Sequence, residues 1–206
     1  MKPMDIERRS FEIIAQELGD RKIDPEYDLL VRRVIHTTAD FDYYDNLAFS
    51  EHAMRRLLAA LKRGADIVTD TTMAMAGINK RALARFGGQV HCFIADADVA
   101  EAAKARGVTR SLVSMEKAAS LEKPLVFAIG NAPTALFSIC ELVQAGRLSP
   151  EIVIGVPVGF VNVVEAKEAL MRLPVPYIVA RGRKGGSNVA AAIVNAALYQ
   201  LAEREE

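Results

Sequence analysis

The chain has 206 residues, 51% hydrophobic and 25% charged, which is the balance of a folded soluble domain rather than of a disordered or membrane chain. This length allows one large core but would leave two domains with little core each, so we expect one domain. Lysine plus arginine and aspartate plus glutamate number 26 each, which excludes a net charge that would attract nucleic acid or an anionic membrane.

The first part of the chain, residues 1–64, predicts helices. Its start is charged where a signal peptide needs an apolar stretch, and we therefore expect a cytoplasmic protein. Apolar residues then recur at helical spacing. We predict a first helix up to Gly19, a second from the capping pair Asp24-Pro25 to about residues 36–40, and a third from Ser50 to Gly64.

From residue 65 onward, short apolar runs alternate with polar or glycine-rich loops and helical stretches. The predicted strands are residues 66–69, 90–95, 125–129, 152–156 and 177–180. The last three lack polar alternation, which is typical of strands that helices cover on both faces. The pattern predicts a three-layer α/β/α fold with a flavodoxin-like or Rossmann-like parallel sheet of about five strands and extra N-terminal helices.

The last predicted helix, residues 187–202, is apolar almost all round. Such a helix is buried, either between the sheet and the N-terminal helices or in a subunit interface. Both interpretations stay open at this point. We expect residues 1–206 to form one domain, with a helical part at 1–64 and an alternating strand-helix part at 65–206.

In an open parallel sheet, ligands bind beyond the carboxyl ends of the strands, where helix N-termini point their free amides outward. The corresponding loops are residues 70–73, 130–134, 155–160 and 181–187. Three of them contain glycine, and three lead into helices with possible caps at Pro133, Asn162 or Ser187, which predicts three anion sites. The last loop adds positive charge at Arg181, Arg183 and Lys184. For any one loop alone, a tight turn or a solvated basic loop is the alternative.

Several common sites are disfavoured. The spaced glycines of a dinucleotide-binding motif and the phosphate loop of nucleotide hydrolases are both missing. The histidines are far apart and the cysteines are not paired at ligand spacing, so we predict no metal site. The Gly-x-Ser-x-Gly elbow of many serine hydrolases is missing, so this class is disfavoured too.

Among the three histidines, His36 is the candidate general acid. It lies near the end of the second predicted helix, with Arg32 and Arg33 one turn before it and Asp40 one turn after it. An imidazole both gives and accepts a proton near neutral pH, as a general acid must. A helix-capping histidine is the alternative on spacing alone.

Motifs spread over nearly the whole chain together resemble one family. They are Arg9-Ser10-Phe11, Arg33-Val34-Ile35-His36, Asp70 with Met73 and Gly77, Thr109-Arg110-Ser111, the run from Ile129 to Leu136, the run from Gly155 to Val161, Arg181-Gly182-Arg183, and Gly185-Gly186-Ser187. This set resembles the precorrin-8X methylmutase family, also called cobalt-precorrin-8 methylmutase. The two long central motifs are specific to it.

The resemblance implies a homodimeric flavodoxin-like isomerase of cobalamin biosynthesis that uses no cofactor. It would move one methyl group of precorrin-8X or cobalt-precorrin-8 from ring position eleven to twelve, giving hydrogenobyrinate or cobyrinate. The family's catalytic histidine falls on His36. Its substrate contacts fall on Arg9, Ser10, Thr109, Arg110, Ser111, Gly130, Asn131, Ala132, Pro133, Thr134, Gly155, Val156, Pro157, Val158, Gly159 and Phe160. The other motifs and strand-end loops add Asp70, Met73, Arg181, Arg183, Lys184 and Ser187.

The chemistry of such a substrate agrees with these residues. A wide macrocycle fringed by carboxylates needs an apolar floor, here Met73, Val156, Val158 and Phe160, and cations at its edge, here Arg110, Arg181, Arg183 and Lys184. A migration within one molecule needs no redox carrier, so a positioned proton donor can suffice. A non-catalytic tetrapyrrole carrier of the same fold is the runner-up, and a flavin-binding flavodoxin-like domain is the third hypothesis. We expect no nucleic-acid or membrane partner.

Overall fold

The apolar runs of the sequence form the centre of a six-stranded sheet in the computed structural model, which describes residues 3–203. The strands are β1 Leu47–Phe49, β2 Asp66–Thr69, β3 Val90–His91, β4 Leu125–Ile129, β5 Ile152–Gly155 and β6 Tyr177–Ala180. Their order is β1-β6-β5-β4-β2-β3, and all neighbours are parallel except β1 and β6. Counted along the chain, the five parallel strands are arranged 2-1-3-4-5, the flavodoxin-like order, so the predicted fold class is confirmed.

The helices of residues 3–203 cover both faces of this sheet. They are α1 Pro3–Leu18, α2 Asp28–Thr38, α3 Tyr43–Asn46, α4 Ala53–Lys62, α5 Thr72–Gly77, α6 Lys80–Ala84, α7 Ala97–Arg106, α8 Arg110–Ala118, α9 Pro133–Gln144, α10 Val163–Met171 and α11 Ser187–Glu203. Alternate strand residues enter different cores: Ile67 packs with α2, α4 and α11, whereas Val68 packs with α8 and α9. None of the described helices is both long and apolar enough to cross a membrane.

The strand β1 adds one strand to the number expected from the sequence. Leu47 pairs with Ala180 and Phe49 pairs with Ile178, so β1 runs antiparallel along the outer edge of β6. Three residues are too few to show a period of two, and helical segments surround them, which explains why the pattern did not indicate a strand. β1 covers an edge of β6 that would otherwise be unpaired.

Among the predicted boundaries that moved are those of β3 and α2. β3 ends at His91 rather than at residue 95. The pair Asp24-Pro25 begins a turn rather than the helix itself, because the Asp24 carboxylate accepts the amide of Glu26 at 2.8 Å and its carbonyl accepts the amide of Tyr27 at 2.8 Å. The helix α2 then begins at Asp28.

The helix α11 lies between the sheet and the N-terminal helices. It contacts α2, α4, α5 and β4, and its side chains at Val189, Ile193, Val194 and Leu198 are fully buried within the chain. Of the two interpretations of its apolar sequence, the internal position is the one the structure shows. Lys184, in the loop before α11, binds Asp40, so the segment that follows α2 lies near the start of α11.

Candidate active site

The four loops that were predicted to carry a ligand site follow β2, β4, β5 and β6, which are neighbours in the sheet. Direct contacts join them. The hydroxyls of Thr71 and Ser187 are 2.7 Å apart, which links the loop after β2 to the start of α11. The amide of Gly186 donates to the carbonyl of Val156 at 2.9 Å, which links the loops after β6 and β5. The carboxyl ends of these strands therefore share one continuous surface.

The loops after β2 and β4 are joined by the carboxylate of Asp70. Its Oδ1 accepts the amide of Gly130 at 2.9 Å, and its Oδ2 accepts those of Asn131 and Ala132 at 2.8 and 2.6 Å. Burial raises the pKa of Asp70, and the three amide hydrogen bonds act in the opposite direction. Part of the predicted anion site after β4 is thus occupied by a carboxylate of the chain itself, and Asp70 holds the two loops together.

Two glycines allow the loops after β4, β5 and β6 to touch. A Cβ on Gly130 would lie 2.6 Å from the Cα of Ser187, and a Cβ on Gly185 would overlap the carbonyl oxygen of Val156. No side chain fits at either contact, because nonbonded heavy atoms do not pack so closely. The glycines of these motifs therefore serve the joining of the loops.

The surface carries several exposed apolar side chains. Met73 is 69% exposed in the first turn of α5, which follows β2, and Phe160 and Val161 are 82% and 77% exposed on the loop after β5. Val158 is 47% exposed. Val156 was predicted to form part of the apolar floor, but this prediction is wrong, because its side chain is fully buried in the core. Large exposed apolar side chains at the carboxyl ends of neighbouring strands are candidates for a binding surface.

A cation lies beside one of these apolar side chains, Phe160. Arg181 and Arg183 are exposed on the loop after β6, and the guanidinium of Arg183 lies 5.4 Å from the centre of the Phe160 ring. This contact orients the exposed ring and leaves the guanidinium edge able to bind an anion.

Lys184, on the same loop, already has two partners. Its Nζ donates to Oδ2 of Asp40 and to Oδ2 of Asp42, each at 2.6 Å. These bonds raise the pKa of Lys184 and lower that of Asp40. Lys184 was predicted to bind substrate, but the structure directs its charge to the segment that follows α2.

His36 lies in the last turn of α2, on the exposed side of that helix. Its ring stacks on Phe11 of α1, with centroids 5.3 Å apart and planes 29° apart. Arg33, one turn earlier, donates to Glu7 of α1 at 3.0 Å, and its guanidinium lies 5.3 Å from the centre of the same Phe11 ring. The helix ends at Ala39, whose φ of 53° is left-handed and turns the chain towards Lys184.

A family model for precorrin-8X methylmutase matches residues 5–200. The chain is 49% identical to the cobalt-precorrin-8 methylmutase of Salmonella typhimurium, over 98% of this chain and 97% of that protein. It is 41% identical to the precorrin-8X methylmutase of Pseudomonas aeruginosa, over 93% of this chain and 92% of that one. The chain belongs to the precorrin-8X methylmutase family. A solved structure of the Thermus thermophilus precorrin-8X methylmutase agrees with the fold, with a TM-score of 0.87 and 40% identity over 97% of this chain and 98% of that one.

Membership of this methylmutase family confirms the predicted resemblance and the predicted enzyme class. A methylmutase is an isomerase, because it moves a methyl group from one position of a molecule to another. The roles of individual residues stay predictions, and the geometry shows which of them lie in positions from which a ligand could be reached.

The predicted site residues of this family member divide by exposure. Those exposed are Arg9, His36, Met73, Thr109, Arg110, Asn131, Val158, Phe160, Arg181, Arg183 and Lys184. Those partly exposed are Ser10, Ser111, Pro133, Thr134 and Gly159. Those buried are Asp70, Gly130, Ala132, Gly155, Val156, Pro157 and Ser187. The buried group shapes and joins the loops, while the other two groups can contact a ligand.

The start of α8 belongs to the same surface as the strand-end loops. Thr109 caps α8 by accepting the amide of Leu112 at 3.2 Å, and its hydroxyl donates to that of Thr134, at the start of α9, at 3.0 Å. This bond places the exposed Arg110 next to the loop after β4. The motif Thr109-Arg110-Ser111 thus lies beside the joined loops.

The N-terminal pair Arg9 and Ser10 lies on α1, and its side chains contact residues of the same helix. Arg9 pairs with Glu12 at 2.9 Å, and the Ser10 hydroxyl donates to the carbonyl of Ile6 at 3.0 Å. Phe11, the following residue, is the ring on which His36 stacks. Arg9 and Ser10 thus lie on the helix that carries the stacking partner of His36, and these contacts of theirs stay within α1.

A buried lysine of α10 was missed by the sequence analysis. The side chain of Lys167 is fully buried, and its Nζ donates to the carbonyls of Gly182 and Lys184, each at 2.8 Å. Burial lowers its pKa to about 8. A signal existed: Lys167 shares the buried helical face of Val163 and Leu170, and a lysine there needs a polar partner.

No group of three or more His, Cys, Asp or Glu side chains within residues 3–203 is arranged to hold a metal ion. The cysteines Cys92 and Cys140 are free thiols. Burial raises the pKa of Cys140 to about 11, which keeps this thiol protonated and makes it a poor ligand and nucleophile.

Proposed function

We propose that the protein moves a methyl group of precorrin-8X or cobalt-precorrin-8 from ring position eleven to twelve, giving hydrogenobyrinate or cobyrinate in cobalamin biosynthesis. Family membership over nearly the whole chain supports the reaction type. The structural observation that carries the proposal is the joining of four strand-end loops into one surface that bears exposed apolar side chains and arginines.

This surface suits a broad, flat, carboxylate-fringed ring. Met73 and Phe160 offer apolar area to the macrocycle, and burying that area on binding is favourable by roughly 25 cal/mol per Å². Arg110, Arg181 and Arg183 would bind carboxylates at the rim through charge-assisted hydrogen bonds. Fixing the ring at several points holds the two exchanging ring positions in one geometry, which lowers the entropic cost of the transition state.

We propose His36 as the proton donor of the reaction. Its ring is exposed at the end of α2 and is oriented by stacking on Phe11. Protonation of the macrocycle by the imidazole would redistribute electrons in the ring while one carbon–carbon bond breaks and another forms. The proton can return to the same imidazole afterwards, so substrate and product have the same composition and no redox carrier is required.

We further propose that the enzyme is a cytoplasmic homodimer that needs no external cofactor and binds neither nucleic acid nor membranes. The family resemblance supports the dimer, and the balanced charge supports the lack of nucleic-acid and membrane partners. Analytical ultracentrifugation of the pure protein tests the dimer, and a species of the mass of one chain at all concentrations contradicts it.

The reaction is tested by mixing the pure protein with precorrin-8X or cobalt-precorrin-8 and recording the visible absorption spectrum. Migration changes the conjugation of the ring, so a spectral change with turnover is expected. His36→Ala should lower kcat by about 10²–10⁴-fold, as for a positioned general acid. The matched control is His52→Asn. His52 is an exposed histidine just before α4, and its backbone is left-handed, a conformation that asparagine tolerates.

The outcomes separate the alternatives. Tight binding of the corrinoid without any spectral change favours the tetrapyrrole carrier and overturns the enzymatic proposal. Turnover that His36→Ala leaves intact keeps the reaction but removes His36 from its mechanism.

A further inference from the structure

The loop between β6 and α11, residues 181–186, is hydrogen-bonded by the buried side chain of Lys167. The Nζ of this fully buried side chain donates to the carbonyls of Gly182 and Lys184, both at 2.8 Å. A buried amine with two carbonyl partners fixes the backbone on both sides of Arg183, because breaking either bond leaves a buried polar group unpaired.

The outer end of the same loop is attached to the segment that follows His36. Lys184 bridges Asp40 and Asp42 at 2.6 Å each, and Asp40 also accepts the amide of Asp42 at 3.0 Å, which makes this segment a compact turn. Asp40 lies four residues after His36, and the left-handed Ala39 between them ends α2. The contacts thus run from α10, through the loop, to the end of the helix that carries the imidazole.

We propose that Lys167 and Lys184 are positioning residues that set the place of His36 relative to the strand-end loops. The proposal rests on the proposed function in one respect, that His36 acts on a ligand bound at those loops. α2 packs on α1 and α11. In the strand-end region, the hydrogen bond from Lys184 to Asp40 directly connects the segment after α2 with the loop after β6. Neither lysine needs to touch the substrate in this role.

Positioning and direct substrate binding predict different kinetics. A lysine that binds a substrate carboxylate equally in ground and transition states raises KM when removed and leaves kcat unchanged. Removing a lysine that positions the acid lowers kcat and leaves KM nearly unchanged. The pairing of Lys184 with two carboxylates argues for the second role, because its charge is already balanced within the chain.

The kinetic test compares Lys184→Met with Lys184→Arg, which can still bridge both carboxylates. Lys184→Met should lower kcat about tenfold to a hundredfold, the scale of a small displacement of a catalytic group, with KM changed less than about threefold. Lys184→Arg should recover most of kcat. The matched control is Lys117→Met, because Lys117 bridges Asp96 and Asp98 in the same manner beside the opposite edge of the sheet.

A double-mutant cycle isolates the action through His36. In the His36→Ala background, Lys184→Met should cause no further loss of the residual rate, because the group that it positions is gone. An equal fold-loss in both backgrounds would show that Lys184 acts independently of His36 and would overturn the proposal. A rise in KM alone would also overturn it.

A measurement without turnover keeps the inference testable if the proposed reaction fails. The chain has three histidines, so their imidazole resonances can be assigned from single substitutions and followed by NMR. Lys184→Met should move the His36 resonances and leave those of His91 in place. Lys117→Met should do the reverse, because Lys117 lies over Phe93, on which His91 stacks. An unchanged His36 resonance in a folded Lys184→Met variant refutes positioning, whatever the enzyme's substrate proves to be.

Discussion

Lys167 shows at the scale of one residue how an uncommon side chain can serve a site without lying on its surface. A fully buried ammonium is costly unless its N–H donors are used, and here it donates to two carbonyls of the loop after β6. Sequence periodicity places this lysine on the buried face of α10, but only the tertiary contacts reveal what it holds.

The pKa of Lys167 makes a prediction about stability. Burial lowers this pKa from 10.5 to about 8, so between these pH values the unfolded chain binds a proton that the folded chain has released. The free energy of unfolding should therefore gain a contribution that rises with pH in this window, by up to about 1.4 kcal/mol per pH unit. Below pH 8 both states bind the proton, and the full cost of burying the charge is present.

Urea denaturation of wild type and Lys167→Met between pH 7.5 and 10 tests this prediction. The difference in the free energy of unfolding, wild type minus variant, should increase with pH, since the other titrating groups cancel. Lys117→Met, which removes a partly exposed lysine, should give a flat difference. A flat difference for Lys167→Met as well would mean that the buried amine keeps its proton throughout.

At the scale of elements, the loops after β2 and β4 form one unit because Asp70 accepts three amides of the neighbouring loop. Sequence reasoning placed Asp70 at the strand end, which is correct, and gave it a role towards the ligand. The structure directs its oxygens towards the chain. The distinction depends on side-chain direction, which a motif does not contain.

Asp70→Ala should leave three amides without their acceptor and lower the free energy of unfolding by about 3 kcal/mol. It should also lower turnover of the folded fraction, because the loops that form the proposed binding surface separate. The control is Asp66→Asn at the other end of β2, a buried carboxylate that pairs with His91 and Lys123. This control should lose stability and keep kcat; an Asp70→Ala enzyme with unchanged kcat when folded contradicts the role given to Asp70.

At the scale of the whole molecule, we propose that residues 1–64 and 65–206 form one domain. Leu30, Val34 and Leu57 from the first part share a buried cluster with Ile67 and Val189 from the second. Neither part would retain that core alone, since each would expose one side of the cluster to water.

One domain predicts one unfolding transition. The midpoints of urea denaturation followed by far-ultraviolet and by near-ultraviolet circular dichroism should coincide, as expected for a two-state unit. The five tyrosines supply the near-ultraviolet signal, and Tyr27, Tyr43 and Tyr44 lie in the first part while Tyr177 and Tyr199 lie in the second. Separate midpoints would show that the N-terminal helices unfold independently.

The sequence by itself determined the fold class, the strand-end loops and the family. Apolar runs without alternation predict buried parallel strands, and the spacing of glycines, prolines and charged residues in the loops is a local property that a sequence records directly. The motifs around Gly130 and Gly155 carried the family for the same reason. The short strand β1 could not be predicted from the sequence, because its three residues owe their extended conformation to pairing with β6.

Only the tertiary structure decided which charges of the site are free. Lys184 and Asp70 look from the sequence like groups that meet a ligand, yet both are engaged by residues distant in the chain, at Asp40 and Asp42 and at the amides after β4. Val156 follows the apolar strand β5 directly but is buried rather than part of a floor. The physical reason is that partners and burial depend on the packing of segments far apart in sequence, whereas periodicity and turn chemistry depend on neighbours.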